Sequence, residues 1–297
     1  MKASRLLLAV LTVVVGLAAF GASAAIESSL SAKGKHFDRV FIIILENQPY
    51  VDVIRNDLFK KLAERGTLLT NYRAVAHPSQ PNYLAITSGN DWGVNDGPVN
   101  INTRNIVDLL EAKGLSWKAY AEDYPTPGSS QCFTNESAGG LYYRKHVPFV
   151  SYDNVRTNAA RCQKIVDGKQ LDVDIKNNAV PHFSFYTPNI NNDGHNTGLG
   201  YAAKWITTFL GPRLHENNFV EGTLFVVTFD EDDYSHDNHI YTLLLGPMVD
   251  PNAYDSTHYD HYSLLRTIES NWELGNLGRN DTKGNTFDNA LTHSTAF

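Results

Sequence analysis

The sequence predicts an α/β fold, a three-layer α/β/α sandwich around a mostly parallel central sheet. Residues 38–45 (DRVFIIIL) and 223–229 (TLFVVTF) are near-continuous apolar runs, the pattern of strands covered on both faces. Strand-like and helix-like segments alternate along the chain, as crossover helices between parallel strands require. No internal repeat, low-complexity tract or linker interrupts that alternation, so one domain spans the chain after its first residues.

Taken in order, the strand at 38–45 ends abruptly in Glu46-Asn47. Residues 54–65 read as an amphipathic helix stopped by Gly66, and 67–76 as a strand. The loop His77-Pro78-Ser79-Gln80-Pro81-Asn82-Tyr83 then turns into a short helix ended by Gly89. Ser79 can cap its first turn, where Pro81 is tolerated because first-turn amides have no intrahelical partner. A serine there also sits at the positive end of the helix dipole, among N–H groups suited to phosphate. Residues 106–113 are helical, and 115–121 form a strand ending in Glu122-Asp123. The irregular stretch 124–167 reads as an excursion over the site; it holds Cys132, Cys162 and the basic triplet Arg144-Lys145-His146. A short strand at 183–187 leads into Asn189-Ile190-Asn191-Asn192-Asp193-Gly194-His195, and a helix follows around 201–209. The strand at 223–229 empties into Asp230-Glu231-Asp232-Asp233; a strand at 240–245 and a helix at 261–272 complete the pattern.

The first residues are expected to be a signal peptide, residues 1–25. Lys2 and Arg5 precede the apolar run 6–20, and Ala22-Ser23-Ala24 is a small-residue cleavage signal. Such a chain is exported, periplasmic or secreted, without a stable membrane anchor. Residues 26–297, about 270 in all, suffice for one large domain with a well-buried core. The net charge of −7 argues against a nucleic-acid binder, which needs a basic face. The two cysteines fit one disulfide in an oxidising compartment, the alternative being two buried thiols.

Four chain positions that follow strands carry groups suited to a hard cation or a phosphate: Glu46-Asn47, His77 with Ser79, Asp193 with His195, and Asp230-Glu231. Each alone has a plainer reading. Glu46-Asn47 could be a solvated turn, Asp230–Asp233 an acidic surface loop, Asn-Asn-Asp-Gly turn chemistry, and the basic triplet solvated surface. Jointly, at the ends of buried strands where open α/β sheets bind ligands, they favour a catalytic site for phosphoryl transfer.

In order along the chain, ENQ, HPSQPNYLAITSG, AEDYP, YYRKHVPFVSYDNV, PNINNDGH, VVTFDEDD and HYSLLRTIE resemble the phosphoesterase family of acid phosphatases and phospholipases C. The resemblance covers residues 26–297 and implies an alkaline-phosphatase-like fold. It implies Ser79 as nucleophile in an S/T-x-P-N motif that includes Asn82. Glu46, Asn47, Asp230 and Glu231 stand where that family binds a metal. Asp193 and His195 fall in a D-x-H motif facing the phosphate, His261 in an H-Y-S motif, and His77 precedes the nucleophile. Arg144, Lys145 and His146 are the further candidates for binding an anionic substrate, with Arg144 and His146 preferred, and His195 or His261 for protonating the leaving alcohol. An Asp-His pair expected of a two-zinc enzyme reads Asp230-Glu231 here, and Asn189 replaces an expected aspartate. Oxygen donors favour a hard cation, so one divalent ion, or weak metal dependence, fits better than two zincs. The expectation is a secreted acid phosphatase for a small-molecule or lipid phosphate monoester. The alternatives are a phospholipase C acting on diesters and a binding protein without turnover.

Overall fold

A computed structural model describes residues 33–125 and 131–291; the apolar run 6–20 and the cleavage signal at Ala22-Ser23-Ala24 lie outside the described residues. The strands are β1 (Arg39–Leu45), β2 (Thr67–Leu69), β3 (Tyr72–Arg73), β4 (Trp117–Ala121), β5 (Ser137–Ala138), β6 (Tyr142–Tyr143), β7 (Ile165–Asp167), β8 (Phe183–Thr187), β9 (Thr223–Phe229), β10 (Thr242–Leu245), β11 (Ala253–Asp255) and β12 (Tyr259–Asp260). Eight of them form the central sheet in the order β11-β2-β10-β9-β1-β8-β4-β7. The pairs β1–β8, β1–β9, β4–β8, β4–β7 and β2–β11 are parallel, and only β10 runs against its two neighbours.

The two longest apolar runs are the two neighbours at the sheet centre. Val40 to Leu45 of β1 and all of β9 are buried, because layers cover both faces. Consecutive residues of β8 show those layers. Phe185 meets Tyr83 of the helix Ser79–Ser88 and Phe149 of the excursion, whereas Tyr186 meets Trp205 and Phe209 of the helix Leu199–Arg213. Alternate side chains point to opposite faces, so helices lie on both sides and the α/β/α arrangement expected from the sequence is present.

Three local expectations are corrected. The helix expected at 54–65 is two pieces, Tyr50–Val53 and Asp57–Ala63, because the Asn56 side chain accepts from Leu58 N and Phe59 N and starts a new helix. The strand expected at 67–76 divides into β2 and β3, the latter pairing with β12 in a separate ribbon. Ser79 does not cap its helix: Pro78 is the N-cap and Ser79 the first helical residue. Its hydroxyl turns to the strand ends, and Asp96 from a distant loop takes the Gln80 N–H at 2.9 Å. Gly89 ends that helix as expected, at φ 72°, where a β-carbon would be strained and would meet Asp281. Cys132 and Cys162 form a disulfide.

Candidate active site

The carboxyl ends of β1, β9 and β8 are stitched together. Asp230 N donates to Leu45 O at 2.9 Å, and Glu46 N to Asp193 O at 3.0 Å. Four carboxyl groups, Glu46, Asp193, Asp230 and Glu231, are consequently buried. The Asp230 Oδ1 atom accepts from Asn47 N (3.1 Å) and Glu231 N (2.7 Å), which orients both neighbouring side chains.

Ser79 enters this cluster from the first turn of its helix. Its Oγ lies 3.0 Å from Glu46 Oε2 and 3.1 Å from Glu231 Oε1, and Lys145 Nζ approaches it to 3.4 Å. The other oxygen of Glu231 bonds to His77 Nδ1, while His77 stacks on Tyr234 and its Nε2 is 3.5 Å from Asp232. The other oxygen of Glu46 accepts from the Tyr83 hydroxyl at 2.8 Å. His146 stacks on Tyr83 between two carboxylates, with Nε2 2.8 Å from Glu46 Oε1 and Nδ1 3.5 Å from Asp193 Oδ2.

Crowding the four carboxyls drives their proton affinities apart. Burial alone would raise Glu46, but His146, Lys145 and the Tyr83 hydroxyl together hold it well below the usual carboxylate range. Asp193 and Asp230 are pushed well above that range, first by burial and then by the charge on Glu46. Glu231 is pushed up to about 8 by the same two causes. Burial lowers the Lys145 ammonium, yet Glu46 and Asp96 outweigh it and leave its pKa raised.

Such a cluster is unfavourable unless a cation neutralises it. Asn47 Oδ1, Asp193 Oδ2 and Asp230 Oδ2 are buried oxygens without a hydrogen-bond partner, as donors to an ion would be. Glu46, His146 and Asp193 present ligand atoms that all lie within 4.8 Å of one another. The residues therefore fit a metal ion, with oxygen donors predominating over one imidazole. Glu46 belongs to this group and to the sequence-derived set of Glu46, Asn47, Asp230 and Glu231.

Several sequence candidates occupy other places. Arg144 is buried, and its guanidinium donates to Thr134 O, Val99 O, Val150 O and Asn100 Oδ1 at 2.7–3.3 Å. That arginine ties loops together. Asn82 accepts from Val75 N and Ala76 N and donates to Ala76 O and Pro78 O, so its amide shapes the approach to Ser79. His146 faces the carboxylates Glu46 and Asp193. His261 is fully buried, Nε2 against Asp230 O at 2.6 Å and Nδ1 against the Tyr72 hydroxyl at 3.3 Å. Burial pushes it down to about 4, so it is neutral through most of the acid range. His195 is exposed; its backbone N–H donates to Asp193 Oδ1 and its ring meets Asn196, with no hydrogen bond to Ser79 among the described residues. Tyr83 and Asp96 were not among the sequence candidates, and Lys145 was one only as a member of the basic triplet. Lys145 sits in the flagged basic triplet, but nothing in the spacing singles it out from Arg144, and Asp96 lies in an Asn95-Asp96-Gly97 stretch that reads only as a turn.

The Phosphoesterase family model matches residues 49–275. A probable acid phosphatase of Kluyveromyces lactis is 40% identical over 265 residues, 86% of this chain and 63% of the relative. This chain thus spans a little under two thirds of that fungal protein. A phosphatidylinositol-3-phosphatase of Mycobacterium tuberculosis is 33% identical over 248 residues, 82% of this chain and 79% of the relative. Among solved structures, an alkaline phosphatase superfamily protein of Vibrio parahaemolyticus is similar in fold, with a TM-score of 0.54, 16% identity, and coverage of 88% of this chain and 74% of the other.

Proposed function

From the premise that this chain belongs to the Phosphoesterase family, we propose that it is an acid phosphatase that hydrolyses phosphate monoesters through a phosphoserine intermediate. The observation that carries the reading is the Ser79 hydroxyl, held at a helix start within hydrogen-bond reach of two carboxylates and a lysine. A weak nucleophile needs a neighbouring base, and the phosphoryl charge needs cations and N–H groups aimed at it.

Ser79 Oγ attacks phosphorus as its proton passes to Glu46, the ionised carboxylate 3.0 Å away. The P–O ester bond breaks, and the departing alkoxide takes a proton from His195. Water then cleaves the phosphoseryl bond, releasing phosphate and restoring the hydroxyl. His195 is supported as donor by its exposed side chain, on a backbone tied to Asp193, against the buried, neutral His261. Glu46, Asn47, Asp193, Asp230 and Glu231, with His146, would hold one divalent cation. What that cation supplies is positive charge against the phosphoryl oxygens and a lowered serine pKa. The names of the fungal and mycobacterial relatives support phosphate monoesters of small metabolites or lipids as the substrate class. The apolar run at 6–20 and its cleavage signal support export. No helix among the described residues is long and apolar enough to cross a membrane.

The test compares the protein with its Ser79→Ala variant on 4-nitrophenyl phosphate and a 4-nitrophenyl phosphodiester, at acid and alkaline pH, with and without chelator. Monoester turnover that vanishes in the variant is expected. Preference for the diester would make the protein a phospholipase C type, and absence of turnover under every condition would reject an enzyme.

A further inference from the structure

The segment that carries the buried Arg144 and His146 turns Lys145 the opposite way, toward the nucleophile. Its ammonium lies 3.4 Å from Ser79 Oγ and 2.7 Å from Asp96 Oδ2. Asp96 holds a second group with its other oxygen, the Gln80 N–H in the first turn of the Ser79 helix, at 2.9 Å. Two donors that flank the attacking oxygen, an ammonium and a helix-start amide, are thus both occupied by one carboxylate.

A phosphoryl group approaching Ser79 needs those same donors. Its peripheral oxygens carry the charge, and positioned cations and N–H groups are what stabilise it. Ser79 is only 1% exposed, whereas the Asp96 side chain that holds both donors is 33% exposed and so within reach of a ligand from solvent. A lysine present only to pair with Asp96 would have no reason to extend to Ser79 in a pocket that already holds four carboxyls.

We propose that Lys145 is a catalytic residue that binds the phosphoryl oxygens at Ser79, and that Asp96 is an internal anion occupying its place until the phosphate group displaces it. This rests on the phosphomonoesterase reading for its chemistry. The anion site itself can be tested without turnover. No covalent change at Lys145 or Asp96 is involved; the ammonium exchanges one carboxylate partner for a phosphoryl oxygen.

The experiment uses the full protein with inorganic phosphate as probe. Dissociation constants are measured by calorimetry, alongside 4-nitrophenyl phosphate kinetics and melting temperatures, for the wild type, Lys145→Gln, Lys145→Arg and Asp96→Asn. Loss of a charge-assisted contact is expected to weaken phosphate binding about 10- to 100-fold in Lys145→Gln and to lower kcat/KM at least as much. Lys145→Arg, which keeps the charge, is expected to retain most of both, with little change in melting temperature. Asp96→Asn is expected to bind phosphate more tightly than wild type, because no internal anion competes. Wild-type phosphate affinity in Lys145→Gln would overturn the proposal, and unaltered or weaker affinity in Asp96→Asn would overturn the part given to Asp96. If the wild type binds phosphate in a Lys145-dependent way but hydrolyses nothing, the anion site stands and the enzyme reading falls. If it hydrolyses the ester with phosphate affinity independent of Lys145, the reverse holds. Neither binding nor turnover in the wild type overturns both.

Discussion

A proton donor for a leaving alkoxide has to face substrate, and the histidines around this site differ in that respect. His261 is locked beneath Asp230 and Tyr72, whereas His195 stands exposed beside Asp193. Replacing a general acid matters most when the leaving group is a poor one, because a stabilised alkoxide departs without help. His195→Gln is therefore expected to lower kcat on an alkyl phosphate by about 10²- to 10⁴-fold while changing 4-nitrophenyl phosphate turnover far less. Equal losses on the two esters would remove His195 from the donor's role. Arg144 gives a contrasting expectation. Its guanidinium answers four oxygen acceptors in the interior, so truncation leaves buried acceptors unpaired. Arg144→Met is expected to destabilise the fold by about 2–4 kcal/mol in denaturant melts. The kcat/KM of the fraction that remains folded should stay near wild type. A selective rise in KM with unchanged stability would return Arg144 to the substrate.

The helix that carries Ser79 is supported at its far end by the helix His261–Asn271 and the turn that follows it. Asn280 N donates to Gly89 O at 3.0 Å, and Asp281 lies under Gly89, accepting from Leu277 N and Arg279 N. Beside Asp281 is Glu269, buried and pushed up to about 8, first by burial and then by the Asp281 charge. In the unfolded chain Glu269 titrates near the ordinary value of about 4.3, so between the two values the folded state holds a proton that the unfolded state lacks. Stability from this group therefore falls as pH rises from about 4 to about 8 and is level outside that window. The melting temperature of Glu269→Gln relative to wild type should thus climb between pH 5 and pH 8; a constant difference would sink the assignment. The excursion over the site has its own anchor, the Cys132–Cys162 bridge with a sequence separation of 30. Replacing both cysteines by serine is expected to cost about 3–4 kcal/mol, measurable as a lower denaturation midpoint. The sheet elements were legible because burial on both faces leaves unbroken apolar runs such as 38–45 and 223–229. The excursion was not. The roles of Arg144, Lys145 and His146 depend on how two short 3-10 turns, Arg144–His146 and Pro148–Ser151, rotate successive side chains, and three adjacent basic residues carry no periodicity that records it. Ser79 admitted two readings for a related reason: a serine before a helix suits both a cap and a nucleophile, and the sequence does not show the distant Glu46 and Glu231 toward which its hydroxyl turns.

At the scale of the whole molecule, the strongest electrostatic feature is a sheet whose central strands end in four buried carboxyl groups, in a chain of net charge −7. Folding without a counter-ion has to protonate some of them or endure their repulsion, so the metal-free protein carries a destabilising site at its catalytic end. That is the usual exchange of stability for function. Two linked results are expected. A divalent cation at about 100 times its dissociation constant should stabilise the fold by about 2.7 kcal/mol, raising the melting temperature by about 5–10 °C for a domain of this size. Asp230→Asn should behave in the opposite sense on both counts: its metal-free form melts above metal-free wild type, because one repelling carboxylate is gone, and its cation-dependent shift shrinks or disappears. Differential scanning fluorimetry of both proteins, after chelation and then with magnesium, calcium, manganese or zinc added separately, reads each effect without any assay of turnover. The order of the shifts identifies the cation. A larger response to magnesium, calcium or manganese follows from the oxygen-rich donors, and a larger response to zinc would give His146 the greater part in binding. A wild type that melts at one temperature in chelator and in every cation would mean that protons alone neutralise the cluster. Ser79 would then depend on Lys145 and the start of its helix for the positive charge that phosphoryl transfer demands.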